Sequence, residues 1–325
     1  MSAAEEHLVG LLSHSALLRF RTNSARLVQF LQTDPFVRHH LPNVQYISDV
    51  VQWEDSAHWQ QSPVYEIHFV ETTAGPIAEF DWTHRCLYVT GLLGRDFEEL
   101  TLVFNAVQFF ARMYQELGLF SIHCGGVVCG TNAVLILGGA AAGKSVVTAR
   151  LCSEFNASYL NDERALVSRQ NDGTIAWVGG NTVLTLRPDV LNYFGLDHLG
   201  IKFRNVTHDS IATHKFSFES RVTQIGALPI RHIVFVRLTN GISQFRRHHL
   251  DSALYDLFAI LSEDIHGLYG PFLRAGYAMP SLDDEVIRSQ RLAIATTLGN
   301  SPINIWQCEG TSQEVCEMIL RGCSG

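Results

Sequence analysis

The chain reads as an α/β protein with a smaller α+β unit ahead of its main domain, and three observations carry that reading. Beyond residue 119, short apolar runs alternate with stretches of helical spacing, the pattern of a sheet covered by helices. Before it, four strand-like runs set apart by Pro, Gly and polar residues lead into one long amphipathic stretch. Between the two, "AVLIL" runs straight into "GGAAAGKS" (138–145), a glycine-bearing turn that opens another helical stretch. The chain is divided accordingly into an α+β accessory domain, 1–118, and an α/β domain, 119–325.

The first twenty residues, "MSAAEEHLVGLLSHSALLRF", read as an amphipathic helix. "VQYISDVVQW", "PVYEIHFVET", "IAEFDW" and "CLYVTGL" read as strands, and "RDFEELTLVFNAVQFFARMYQELG" as a helix with acids early and Gly118 as its stop. "GGVVCGTNAVLILGG" is two strands joined by a tight turn at Gly130-Thr131-Asn132, and "KSVVTARLCSEF" has helical period. "ASYLND" is a short strand ending in an acid, "ALVSRQNDGTIAWVGGNTVLTL" a strand, turn and strand series, and "PIRHIVFVRL" another β-rich run. "FRRHH" (245–249) reads as a strand end or solvated turn rather than a binding patch. "DSALYDLFAILSEDIH" and "LDDEVIRSQRLAIATTLG" are helices, "INIWQCEG" a late strand and "TSQEVCEMILRG" the terminal helix.

Composition excludes several classes. With 46% apolar and 17% charged residues over 325 positions, the chain can bury full cores and is not disordered. A formal charge of −8 gives no generic hold on nucleic acid or anionic membrane. No apolar run reaches the roughly 20 residues that cross a bilayer, and the N-terminus carries glutamates where a secretory signal carries positive charge. The seven cysteines are odd in number, scattered and without a Cys-x-x-Cys pair, which argues against a disulfide framework or zinc site and for the reducing cytoplasm.

"GGAAAGKS" has the Gly-x-x-x-x-Gly-Lys-Ser spacing of a phosphate-binding loop. Such a loop turns backbone N–H groups inward, and the following helix adds its positive end. The cradle would comprise Gly138, Gly139, Ala140, Ala141, Ala142, Gly143, Lys144, Ser145 and Val146. Lys144 would reach the β- and γ-phosphates of ATP, and the Ser145 hydroxyl would hold magnesium. The chain has only three lysines, Lys144, Lys202 and Lys215, so a lysine falling here by accident is improbable. Magnesium needs a further acid at a neighbouring strand end, and "YLNDER" supplies Asp162 and Glu163 there. The chain has neither an Asn-Lys-x-Asp guanine-reading motif nor a Leu-Ser-Gly-Gly-Gln signature, which favours a phosphotransferase over a switch or motor.

"ELGLFSIHCGGVVCGTNAVLILGGAAAGKS" resembles the catalytic domain of HPr kinase/phosphorylase, above all the shorter HPr-kinase-related proteins of bacterial peptide and natural-product pathways. His123 lies 15 residues before Gly138, as in those proteins, and "NDER" falls where the family has Asp-Asp-Arg. The resemblance covers residues 115–190 well and the rest loosely. It implies a P-loop kinase domain of the HPr kinase type, with a mixed β-sheet and flanking helices. It also implies that the loop binds ATP and magnesium, that Asp162 is base and metal partner, and that His123 tunes or relays charge beside that acid. The family's oligomers extend to this chain as an expectation of a homo-oligomer. The chain departs from the family in carrying Ala140-Ala141 in place of Ser-Gly and Glu163 in place of the second aspartate, and in lacking the glycine-rich signature around "VGGNTVLTL". Arg204 and Lys215 are secondary candidates for a cation beside the γ-phosphate, or ordinary surface residues, and Arg187 after its strand faces either the nucleotide or solvent.

The expected function is therefore an ATP- and magnesium-dependent kinase. Its acceptor would be a hydroxyl on a peptide, a protein or a small metabolite, with the N-terminal unit helping to orient it. The alternatives are a non-catalytic nucleotide-binding subunit and an NTPase that uses water as acceptor.

Overall fold

Alternating burial along a strand and a 3.6-residue period along a helix specify the elements here, and the sheets they build carry the loop. The structure is a computed structural model that describes residues 6–34, 37, 40–41, 43–50, 62–94, 99–181, 183–186, 190, 204–208, 211–219, 226–241, 243–266, 281–300 and 302–323. The chain forms two units, one of Met1–Leu119 with Ser262–Ser289, the other of Phe120–Leu261 with Gln290–Gly325. The segment 262–289 thus joins the first unit, although the sequence division at 118/119 leaves it in the second.

The first unit holds a six-stranded sheet in the order β3-β1-β2-β4-β6-β5. The expected N-terminal helix is instead a hairpin, β1 (His7–Ser13) and β2 (Ala16–Thr22), paired from His7↔Thr22 to Ser13↔Ala16. Its dense apolar runs suit a buried strand as well as a helix. Its two-residue turn uses His14 and Ser15 at φ 47° and 67°, without the Asn-Gly that usually announces such a turn. Helix α1 (Ala25–Thr33) follows, capped by the Ser24 side chain accepting from the Leu27 amide. β3 (Gln45–Ile47) then flanks β1; residues 51–53 of the run read there as a strand lie outside the described residues. β4 (Val64–Glu71) runs parallel to β2, β5 (Ile77–Asp81) antiparallel to β6 (Cys86–Gly91), and β6 parallel to β4.

Helix α2 (Glu99–Glu116) buries Leu102, Val103, Ala106, Phe109, Phe110 and Met113, and stops at Gly118, φ 73°. Near its end Arg112 joins Glu116 at 2.8 Å and Asp284 at 2.7 Å, while the Tyr65 hydroxyl donates to Glu116 at 2.9 Å.

The second unit is built on a nine-stranded mixed sheet. β7 (Leu119–Ile122), β8 (Gly125–Cys129) and β9 (Asn132–Leu137) precede helix α3 (Lys144–Glu154), and β10 (Ser158–Asn161), β11 (Ala165–Arg169) and β12 (Ile175–Gly180) follow it. A separate antiparallel sheet takes β13 (Val183–Leu186), β15 (Ile211–Glu219) and β14 (Arg204–His208), in that order. β16 (Leu228–Leu238) is the long central strand, and β17 (Gln244–Arg247), which holds the first three residues of the basic run, is exposed. Helices α4 (Leu250–Ser262) and α5 (Glu285–Asn300), strand β18 (Asn304–Gly310) and helix α6 (Ser312–Cys323) complete the order.

β9, β16 and β18 run parallel side by side, with Leu135↔Ile233 and Ile233↔Ile305 in register. Alternate residues of these strands face two layers. Leu135, Leu137, Ile233 and Ile305 pack with Ala253, Leu257, Ile294 and Leu298 of α4 and α5. Val134, Ile136, Val234 and Val236 pack with Val147, Leu151, Val315 and Ile319 of α3 and α6. Each such aliphatic side chain contributes roughly 1.5–3 kcal/mol on burial. A one-residue slip would exchange the two faces, so the end of β9 is held in place.

Candidate functional site

The site grows from the carboxyl end of β9, where parallel strands of an α/β sheet place their ligand loops. Leu137 ends the strand and Gly138 turns away at φ 152°. Ala141 and Gly143 also take positive φ, 59° and 99°, so the loop reverses hand twice before Lys144 begins α3. The Ala142 amide donates to Gly139 O at 3.2 Å and the Val147 amide to Gly143 O at 3.0 Å. The Leu238 amide donates to Ala142 O at 3.0 Å, which pins the loop to the end of β16. Gly139, Ala140 and Ala141 form the exposed crest, and a Cβ built on Gly139 would meet nothing within 4 Å. Lys144 Nζ donates to Gly138 O at 2.9 Å and Gly139 O at 3.3 Å, folding the ammonium over the loop. Val146 directs its side chain into the core with Ala149, Tyr159, Leu184 and Leu186, so only its backbone faces the loop's helix start.

The acid comes from β10. Asp162 follows the last residue of that strand and is 1% exposed. The Ser145 hydroxyl lies 2.9 Å and 3.1 Å from its two carboxylate oxygens and donates to them. The Asp162 amide donates to Asn181 O at 3.0 Å, and its own carbonyl accepts from the Arg164 amide at 2.7 Å. Asn161, fully buried, fixes the strand end from below. Its Nδ2 donates to Cys124 O at 2.9 Å, and its Oδ1 accepts from Trp177 Nε1 at 3.1 Å. Gly126 of β8 makes room for it, because a Cβ there would lie 2.3 Å from Asn161 Oδ1.

His123, between β7 and β8, places Nε2 3.2 Å from Glu163 Oε2. The predicted charge partner of Asp162 thus meets Glu163, the neighbour of that acid. Glu163 takes φ 64°, an uncommon conformation for a non-glycine residue of the kind that collects at functional sites. Burial pushes the Cys124 thiol up to about 12, so it stays protonated and is no nucleophile. Burial, and then the Asp162 carboxylate, holds the Tyr159 phenol well above its ordinary value.

Loop, hydroxyl, lysine and strand-end acid therefore converge on one end of the sheet. Together they offer backbone donors, a lysine cation and two oxygen donors suited to a hard divalent cation. Arg187 lies outside the described residues, and Arg204 and Lys215 belong to β14 and β15 with side chains outside them. Sequence reasoning passed over Asn161, Trp177, Asn181 and Leu238, which hold the site without entering it. The one trace was the Gly125-Gly126 pair, since glycines inside a strand mark close approach of another group. Among the described residues no helix is long and apolar enough to cross a membrane. No family model matches the chain, and no curated protein matches it.

Proposed function

We propose that the chain is an ATP- and magnesium-dependent kinase of the HPr kinase type, working in the cytoplasm, that transfers the γ-phosphoryl group to a hydroxyl of a peptide, a protein or a small metabolite. The observation that carries this reading is the contact between Ser145 and Asp162, 2.9 Å and 3.1 Å long. It joins the hydroxyl that opens the helix to an acid from another strand, the two protein oxygens that phosphate loops use for magnesium. The donor set fits the ion, being a hydroxyl and a carboxylate and not thiols or imidazoles.

Bound magnesium would neutralise charge on the phosphate oxygens as it develops. The chain's own groups do the rest. The loop amides and the positive end of α3 bind phosphate. Lys144 exchanges Gly138 O and Gly139 O for phosphate oxygens. Asp162 accepts the proton that the acceptor hydroxyl loses. His123 holds Glu163 beside it, keeping a second carboxylate oriented at the strand end.

The test incubates purified protein with ATP and magnesium and a panel of hydroxyl-bearing amino acids, peptides and cell extract, read by phosphorus NMR and mass spectrometry. The expected result is a new phosphate ester that disappears in Asp162→Asn. ATP binding with neither ester nor hydrolysis would overturn the reading in favour of a nucleotide-binding subunit. Hydrolysis without ester would overturn it in favour of an NTPase.

A further inference from the structure

β17 pairs with β18 from Gln244↔Glu309 to Arg247↔Trp306, and with no other strand among the described residues. All four of its residues are exposed. The basic run, expected to be a strand end or a solvated turn, is therefore strand as far as Arg247. The next amide, that of His248, donates to Ile305 O at 2.9 Å and fixes the phase of the ladder. Successive residues of an antiparallel pair turn their N–H and C=O alternately toward the partner strand and away from it. Gln244 and Arg246 thus turn toward β18, and Phe245 and Arg247 turn their backbone groups outward.

Charge sets this strand apart from the rest of an acidic chain. Arg19, Arg21, Arg85, Arg112 and Arg288 each meet a carboxylate at 3.3 Å or less. Arg246 and Arg247 meet none among the described residues, and Arg246 Nε donates instead to Gln307 Oε1 at 3.1 Å. Glu309 stands opposite Gln244 and accepts from Gln307 Nε2 at 2.9 Å, while His248 is matched by Asp256 at 3.2 Å. A protein of formal charge −8 therefore presents two arginines without a carboxylate on a strand whose outer backbone is open.

We propose that the outer edge of β17 is a docking site for an acidic, extended segment of a partner protein, which adds to the sheet as an antiparallel strand. Phe245 and Arg247 supply two N–H donors and two C=O acceptors, the main-chain hold that such strand addition uses. The side chains supply selection. Arg246 and Arg247 point to opposite faces, so the partner must carry acids at two consecutive positions. Phe245 shares a face with Arg247 and sets an apolar position next to them. Its ring stacks on Trp306, with centroids 4.7 Å apart and planes 25° apart, and rests on α6, where a Cβ on Gly322 would lie 3.3 Å from Phe245 Cζ. The aromatic shelf is packed before the partner arrives, which lowers the cost of ordering it. A second copy of the chain does not fit, because two β17 edges would set arginines against or beside arginines. The charge that keeps like edges apart selects an acidic one. None of these features depends on the phosphate loop or its chemistry.

The test titrates the full-length protein into the fluorescein-labelled octapeptide Thr-Val-Glu-Glu-Ile-Thr-Val-Thr, and into its counterpart with lysines in place of both glutamates, read by fluorescence anisotropy. The acidic peptide alone should bind, and raising the salt should weaken it. Arg246→Glu combined with Arg247→Glu should weaken binding by ~10-fold or more. Arg247→Gln should weaken it less. Arg247→Pro, whose lost N–H points outward and spares the bonds to β18, should weaken it further than Arg247→Gln. Equal binding of the two peptides, no binding of the acidic one, wild-type affinity in the doubly reversed variant, or equal affinities of Arg247→Pro and Arg247→Gln would overturn the proposal. So would a wild-type dimer in sedimentation that the double reversal dissociates, since the edge would then pair two copies.

Discussion

Gly143 and Ala141 meet the same backbone demand with different side chains. Both hold positive φ, 99° and 59°, and an L-residue in that region gives up roughly 1–2 kcal/mol. Ala141 bears this cost at the crest, where it is exposed. Gly143 has no such latitude, since a Cβ there would lie 2.3 Å from Leu238 Cδ1. Gly143→Ala should therefore lower stability by about 2 kcal/mol or displace the loop, measurable as a lower denaturation midpoint together with weaker binding of ATP. An unchanged midpoint and unchanged binding would contradict the loop geometry. Lys144 and Asp162 test the chemistry instead. Lys144→Ala should weaken nucleotide binding, and Asp162→Asn, which keeps the shape but loses the proton acceptor, should bind ATP while transfer falls by ~100-fold or more. Full transfer by Asp162→Asn would remove Asp162 as base.

The elements divide by how much of their pattern is local. β9, β16 and β18 were legible because their apolar runs are buried on both faces, and the helix after the loop because its period is unbroken. The loop was legible for the same reason, since its spacing is contiguous in sequence. The β1–β2 hairpin was not, because nothing in His14-Ser15 signals left-handed backbone, and a dense apolar run has no period that separates helix from strand. β7, β14 and β15 were passed over too: β7 is only four residues long, and β14 and β15 pair across a register shift in polar sequence. The supports of the acid were hidden differently. Asn161, Cys124 and Trp177 are distant in sequence and meet only once β8, β10 and β12 are assembled. The hairpin supplies a prediction at this scale. Ser15 is exposed at φ 67°, so Ser15→Gly should relieve strain and raise stability by roughly 0.5–1 kcal/mol. Thermal unfolding would show it as an upward shift, and a downward shift would mean that the turn is not left-handed.

At the scale of the whole molecule, two effects of acid oppose one another. The chain carries 32 acidic against 24 basic residues, a formal −8, so mild acidification relieves self-repulsion and favours the folded state. Individual groups pull the other way. Burial holds His14 and His232 below the ordinary histidine value of 6.5, with Arg231 adding to the effect at His232. The unfolded chain therefore takes up these protons more readily than the folded one. Their stabilising contribution is complete above pH 6.5 and is lost as the pH falls from there through the depressed folded values. Carboxylates act lower on the scale. At Asp284 partial burial would raise the pKa, but the Ile287 amide and the Arg112 guanidinium outweigh it and leave the group below its ordinary 3.8, so its contribution disappears only in stronger acid. Charge relief is spread over the whole surface and does not depend on one side chain, whereas the histidine penalty does. A substitution at His232 consequently separates them. With the neutral isostere His232→Gln, the fall in melting midpoint between about pH 8 and about pH 5.5 should be smaller than in the wild type. If the two proteins lost stability in parallel over that window, burial of His232 would not be a source of acid sensitivity, and the response would belong to net charge and the remaining histidines.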